Sequence, residues 1–213
     1  MGAGRIEGRV TAVIRLDDLD EVVALSRALA AGGVETLEFT YTNRRAGAAI
    51  EEVRAALGEA VFVGAGTVLD AETARSAILA GAQFIVTPTT RPATIALCRR
   101  YATPIVCGAL TPTEILGAWE AGADFVKVFP ASVGGPSYIK DVLAPLPYLK
   151  LIPTGGVTID NAGAYIGAGA VGLAVGGNLV PKAVVAERDW GAISELARGF
   201  STAVATAWRG RRT

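Results

Sequence analysis

From Gly8 onward the chain repeats one local pattern in units of roughly 20–25 residues: a short branched and aromatic run, then an alanine-rich amphipathic stretch ending in glycine. Such alternation implies a parallel sheet, because each strand must be re-entered from the same end through a right-handed crossover. Strands are expected at 10–15, 36–40, 61–65, 84–86, 104–107, 124–130, 149–153 and 172–175. Helices are expected at 19–31 behind the caps of Asp17 and Asp18, at 46–57, and through Ala80 behind an Asp70 cap. Others follow at 92–101, up to Ala121 from the capping box Thr111-Pro112-Thr113-Glu114, at 159–167 and at 190–208, with 209–213 as a frayed tail. Eight such units in 213 residues fit one closed α/β domain, a (β/α)8 TIM barrel over residues 1–213 with a long C-terminal helix, better than an open doubly wound sheet.

The barrel directs attention to the C-terminal ends of its strands, where active sites of this fold gather. Composition narrows the chemistry available there. The chain has no histidine, which excludes Ser-His-Asp and Cys-His catalysis and removes the commonest metal ligand. Twenty basic and twenty acidic residues cancel without a basic stripe, so neither nucleic acid nor a membrane is an expected partner. Cys98 and Cys107 have neither disulfide nor metal spacing and are expected as buried free thiols, in keeping with a reducing cytoplasm. No apolar run reaches the length of a membrane span, and no signal-peptide core follows Met1-Gly2-Ala3-Gly4-Arg5.

Lysine and carboxylate remain as reactive groups, and two of them stand inside strands. In Asp124-Phe125-Val126-Lys127-Val128-Phe129-Pro130, alternation places Phe125, Lys127 and Phe129 on one face and Val126 and Val128 on the other. Burial among phenyl rings disfavours the ammonium and makes the neutral amine available, which is what a Schiff-base lysine requires. The plain alternative is a strand-end lysine snorkelling into water. Glu38 shares its face with Thr36 and Thr40, opposite Leu37 and Phe39. It reads as a general acid/base or, structurally, as an ion-pair partner of Arg15. An amine nucleophile with a proton-carrying carboxylate is the minimum set for carbinolamine and imine chemistry.

Thr154-Gly155-Gly156-Val157 after strand seven and Gly176-Gly177-Asn178 after strand eight offer backbone N–H groups where barrels commonly hold phosphate. Gly64-Ala65-Gly66-Thr67 makes a tight turn with a hydroxyl at its tip, and Thr87, Pro88 and Gly108 close the rim after strands four and five.

Together with Leu37-Glu38-Phe39-Thr40, Phe125 to Ala131 and Leu179-Val180, these motifs run in order over nearly the whole chain and resemble the 2-keto-3-deoxy-6-phosphogluconate (KDPG) and 4-hydroxy-2-oxoglutarate (KHG) aldolases. The resemblance implies a class I lyase that reversibly cleaves a 2-keto-4-hydroxy acid to pyruvate and an aldehyde such as D-glyceraldehyde 3-phosphate, without metal or organic cofactor, usually as a homotrimer. It assigns the imine to Lys127 and proton transfer to Glu38. Thr67 would hold the pyruvyl carboxylate with help from Arg15, and Gly155, Gly156, Gly176 and Gly177 would receive the phosphate. Thr154, Asn178, Thr87, Pro88 and Phe129 complete the expected contacts with substrate. Two departures bear on the substrate: Tyr41, where many members have an anion-binding arginine, and Asn178, where serine is usual. Arg15, Arg44 and Arg45 are the nearby replacements for the arginine. A galactonate epimer and unphosphorylated 4-hydroxy-2-oxoglutarate are the alternative substrates. A phosphate-binding isomerase barrel would share the glycine loops without needing Lys127, and a non-catalytic binding module would need neither Lys127 nor Glu38. Ile95, Leu97 and Ile115 are expected to face either the core or a neighbouring subunit.

Overall fold

The computed structural model describes residues 3–211. Eight strands, β1 (Val10–Ile14), β2 (Thr36–Thr40), β3 (Phe62–Gly66), β4 (Ile85–Val86), β5 (Ile105–Ala109), β6 (Phe125–Val128), β7 (Leu151–Pro153) and β8 (Leu173–Val175), pair in parallel around a ring. A Thr154–Ala174 bridge and the Val171 N–H donated to Leu151 O (2.9 Å) join β7 to β8, so the sheet closes as the (β/α)8 reading requires. Outside it lie α1 (Val22–Ala31), α2 (Ala46–Leu57), α3 (Ala71–Leu79), α4 (Pro92–Arg100), α5 (Pro112–Glu120), α6 (Gly135–Leu143), α7 (Ile159–Gly167), α8 (Lys182–Ala186) and α9 (Trp190–Gly210).

Local chemistry sets several of these boundaries. Asp70 accepts the Thr73 N–H and starts α3, and Thr111 with Glu114 forms the expected capping box of α5. A second box, Thr158 with Asn161, opens α7. Elsewhere tertiary structure overrides pattern. Helix α1 begins at Val22 rather than 19, because Asp18 Oδ1 accepts the Asp20 N–H in a local turn (2.8 Å) and neither Asp17 nor Asp18 caps the helix. Helix α6, hidden in sequence by its Gly-Gly-Pro start, and the short α8 were not expected. The tail from 209 is not frayed as far as it is described: α9 continues to Gly210, and the Arg211 guanidinium donates to Ala170 O (2.7 Å). Residues 212 and 213 lie outside the described residues.

Alternation along the strands produces two cores. Outward residues, among them Leu37, Phe39, Val126 and Val128, pack beneath the helices, and Ile95 and Ile115 are buried there with Leu97 against them. Inward residues fill the barrel's N-terminal half: Phe62, Phe84, Val106, Phe125 and Ile152, with Ile6 plugging the end. Phe62 and Phe84 stack at 5.0 Å between centroids. Cys98 and Cys107 are buried free thiols; burial, the largest cause, pushes them up to about 12 and about 11 respectively. Among the described residues no helix is long and apolar enough to cross a membrane.

Candidate active site

Glu38 points into the barrel between Val13 of β1 and Gly64 of β3. It is 1% exposed, and neither carboxylate oxygen has a hydrogen-bond partner. Its side chain leans one layer toward the mouth and lies over Gly66, where an added Cβ would come within 2.5 Å of Cδ. Position 66 must therefore be glycine for the carboxyl to rest there. Burial holds the Glu38 pKa above the usual carboxylate range, and the charges of Lys127 and then Arg15 pull against that rise. The ion pair with Arg15 offered by the structural reading is not made; Arg15 acts through space.

Lys127 stands across the barrel on β6, between Gly108 of β5 and Ile152 of β7. It is 4% exposed, with Nζ 5.2 Å from the centroid of the Phe129 ring, so its amine does not snorkel to solvent. Gly108 beside it admits the Pro88 carbonyl, whose oxygen an added Cβ would strike. The strand ends at Val128, before Pro130, which has no N–H for a further ladder bond.

Thr67 follows β3 with φ +56°, a left-handed conformation unusual for a β-branched residue. Neighbours on both sides hold it there: Tyr41 N–H donates to Gly66 O (2.8 Å) and Val68 N–H to Val86 O (3.2 Å). Backbone strain of this kind, typically about 1–3 kcal/mol, gathers at functional sites. Thr40 and Thr42, whose hydroxyls meet at 2.9 Å, edge the mouth beside Glu38. Thr42 also lines a recess with Arg15, Asn43 and Arg44, a position that sequence reading passed over.

The two glycine loops meet around a cavity of about 340 Å³ that includes Arg15, Phe129, Thr154, Gly155, Gly156, Gly176, Gly177, Asn178 and Lys182. Gly155 (φ +90°) and Gly156 (φ +75°) both have left-handed backbone, which a side chain would strain. Pro88, Gly108 and Phe129 line an adjoining recess of about 310 Å³, so Phe129 divides the mouth into two compartments.

Two expected contacts, and the departure at Tyr41, take other roles. The Asn178 amide donates to Val157 O (2.7 Å) and ties the two glycine loops together, rather than aiming that N–H at a ligand. Thr87 is wholly buried behind the barrel wall, where its hydroxyl accepts the Gly108 N–H (3.4 Å) and bonds the Cys107 thiol. Strand alternation sends it outward, so it fixes β4 to β5 and is not at the rim. Tyr41 also points outward, toward Gly47 of α2 and away from the Glu38 face. Lys182 was missed altogether; no motif marks it, and only the turn after β8 brings it beside the first loop.

A parallel (β/α)8 barrel holding a buried lysine and an unpartnered carboxyl in its C-terminal half defines the class of Schiff-base aldolases. The profile of KDPG and KHG aldolases matches residues 5–196. The 2-dehydro-3-deoxy-phosphogluconate aldolase of Treponema pallidum is 36% identical over 192 residues, covering 89% of this chain and 90% of the relative. The 2-dehydro-3-deoxy-6-phosphogalactonate aldolase of Escherichia coli K12 is 32% identical, covering 91% and 95%. The solved structure of KDPG aldolase from Legionella pneumophila, with pyruvate captured as a covalent carbinolamine, superposes with a TM-score of 0.84 at 26% identity, over 93% of this chain and 97% of that one. The chain belongs to the KDPG and KHG aldolase family.

Proposed function

We propose that Lys127 and Glu38 perform the retro-aldol chemistry of this aldehyde-lyase on a 2-keto-3-deoxy sugar acid phosphate, with KDPG as the substrate. The observation that carries the assignment is the pair itself: in a barrel interior otherwise filled by phenyl, aliphatic and threonine side chains, one lysine and one unpartnered carboxyl face each other's field. Such a pair costs stability and is replaceable by apolar residues unless it is used.

In the forward direction the Lys127 amine adds to the C2 carbonyl, and water leaves to give the iminium. Glu38, directly or through water, takes the C4 hydroxyl proton. The C3–C4 bond breaks, its electron pair passes to the iminium to form the enamine, and the aldehyde departs. Glu38 returns a proton to C3, and hydrolysis frees pyruvate and the amine. A carboxyl raised above its usual pKa suits both directions of that transfer. Thr67 serves the pyruvyl carboxylate, assisted by Arg15 at the end of β1. The loops at Gly155–Gly156 and Gly176–Gly177 take the distal phosphate in the cavity they line.

The test is borohydride reduction in the presence of pyruvate, followed by peptide mass analysis. Reduction should label Lys127 and abolish cleavage, and Lys127→Ala should remove both label and activity. An unlabelled wild-type protein, or an active Lys127→Ala enzyme, overturns the assignment. The Escherichia coli relative supports the galactonate epimer as a second reading. Relative kcat/KM for the two epimers, and for unphosphorylated 4-hydroxy-2-oxoglutarate, decides among the three. We also infer that residues 1–213 act as one barrel domain and assemble as a homotrimer in the cytoplasm. The trimer draws support from exposed Val133 and from Tyr148 beside Trp119, and sedimentation at micromolar concentration tests it.

A further inference from the structure

Beside the glycine loops stands a cation that belongs to none of the motifs. Lys182 lines their cavity, and it also lines the recess of Arg15, Asp17, Thr42 and Arg44. Its Nζ lies 2.7 Å from Asp17 Oδ2, an ion pair whose side chains are 63% and 91% exposed. Asn43 Nδ2 donates to Leu16 O (3.1 Å) and Asp17 O (2.9 Å), so the backbone that carries Asp17 is pinned while its carboxylate stands in water. The neighbouring cations Arg45 and Arg188 are committed elsewhere, to Asp20 with Glu52 and to Glu21.

Resting on the proposed function, we propose that Lys182 is the specificity-determining cation for the substrate's phosphate, held at the cavity rim by Asp17 and exchanged onto the anion when substrate enters. Exposed single pairs hold weakly because water screens them and the side chains must be ordered. A phosphate dianion seated on backbone N–H groups offers the ammonium more charge and better-placed acceptors. The four-carbon stem of lysine permits the swing. The cavity needs such a charge: its walls otherwise offer Arg15 as their only cation among the residues that line it, and the Asn178 amide already spans the two loops. Asp17 in turn opposes casual occupation by other anions, since its charge faces the same rim.

The test compares wild type with Lys182→Gln, Lys182→Arg and Asp17→Asn. Lys182→Gln should raise KM for KDPG about tenfold with little change in kcat, the expected loss of one charge-assisted contact. It should leave kcat/KM for unphosphorylated 4-hydroxy-2-oxoglutarate, and pyruvate labelling of Lys127, at the wild-type level. Lys182→Arg should restore most of the KM, and Asp17→Asn should lower it. Calorimetric titration with inorganic phosphate follows the same order and requires no turnover. Equal losses on both substrates, or unchanged phosphate affinity in Lys182→Gln, overturn the proposal. Failure of wild type to label or cleave would instead overturn the proposed function, and the phosphate titration still decides the role of Lys182.

Discussion

Gly66→Ala isolates the placement of the proton carrier from the placement of the nucleophile. The added methyl would come within 2.5 Å of Glu38 Cδ and 2.6 Å of Cγ, and closer still to Oε1. Unstrained contact between carbons needs about 3.5–4.0 Å, so the carboxyl must retreat by roughly an ångström or more. A displacement of about 1 Å at a reacting group typically costs about 10²-fold, and loss of general acid–base assistance costs about 10²–10⁴-fold. A fall in kcat of at least about a hundredfold is therefore expected. Lys127 lies on another strand, so reductive labelling with pyruvate should still reach completion, although more slowly. Overpacking costs roughly 1–3 kcal/mol, and each kcal/mol lowers Tm by about 2–4 °C in a chain of this length. Gly64→Ala is the control: its methyl would meet the Phe84 ring at 2.5 Å instead, so it should cost stability without a matching loss of kcat. Coupled assay of pyruvate release, calorimetry and mass analysis give the three readouts. Wild-type kcat/KM in Gly66→Ala, or the same kcat loss in Gly64→Ala, would refute the argument that Gly66 exists to seat Glu38.

Glu38→Gln should trade activity for stability. Burial raises the folded-state pKa of Glu38, so folding disfavours its ionised form. That penalty is absent below the unfolded value of 4.5, grows as pH rises from there toward the folded value, and is complete above it. Glutamine removes it, so the variant should gain stability over wild type as pH rises above 4.5 and nothing near pH 3.5, measured by urea unfolding. A gain that grows toward acid would contradict the sign. The thiols should be inert in the native state. With Cys107 held at about 11 and Cys98 at about 12, at pH 8 only about one Cys107 in a thousand is thiolate. Ellman's reagent should label neither residue until guanidinium unfolds the chain; rapid labelling of native protein would show that the burial is wrong.

Much of this protein is legible without coordinates because its signals are local. Alternating strand and helix patterns, the Asp70 cap and the Thr111–Glu114 box depend on residues a few positions apart, and they recur where the sequence places them. Two-residue periodicity likewise puts Glu38 and Lys127 on the inward faces of β2 and β6. The same periodicity, carried past the strand ends, would have turned Thr87 and Tyr41 outward; motif matching admitted the one as a rim contact and the other as a determinant of substrate. What tertiary structure alone decided is which distant groups meet and which are satisfied. Closure of the barrel brings Gly66 under a carboxyl 28 positions earlier in the chain, leaves that carboxyl without a partner, and commits the Asn178 amide to Val157. It also brings Lys182 to Asp17 across 165 residues. Sequence specifies the reacting groups because side-chain chemistry and strand parity are properties of short segments. Their environment, and with it the pKa of Glu38 and the charge at the phosphate end, exists only once the ring of eight strands has closed.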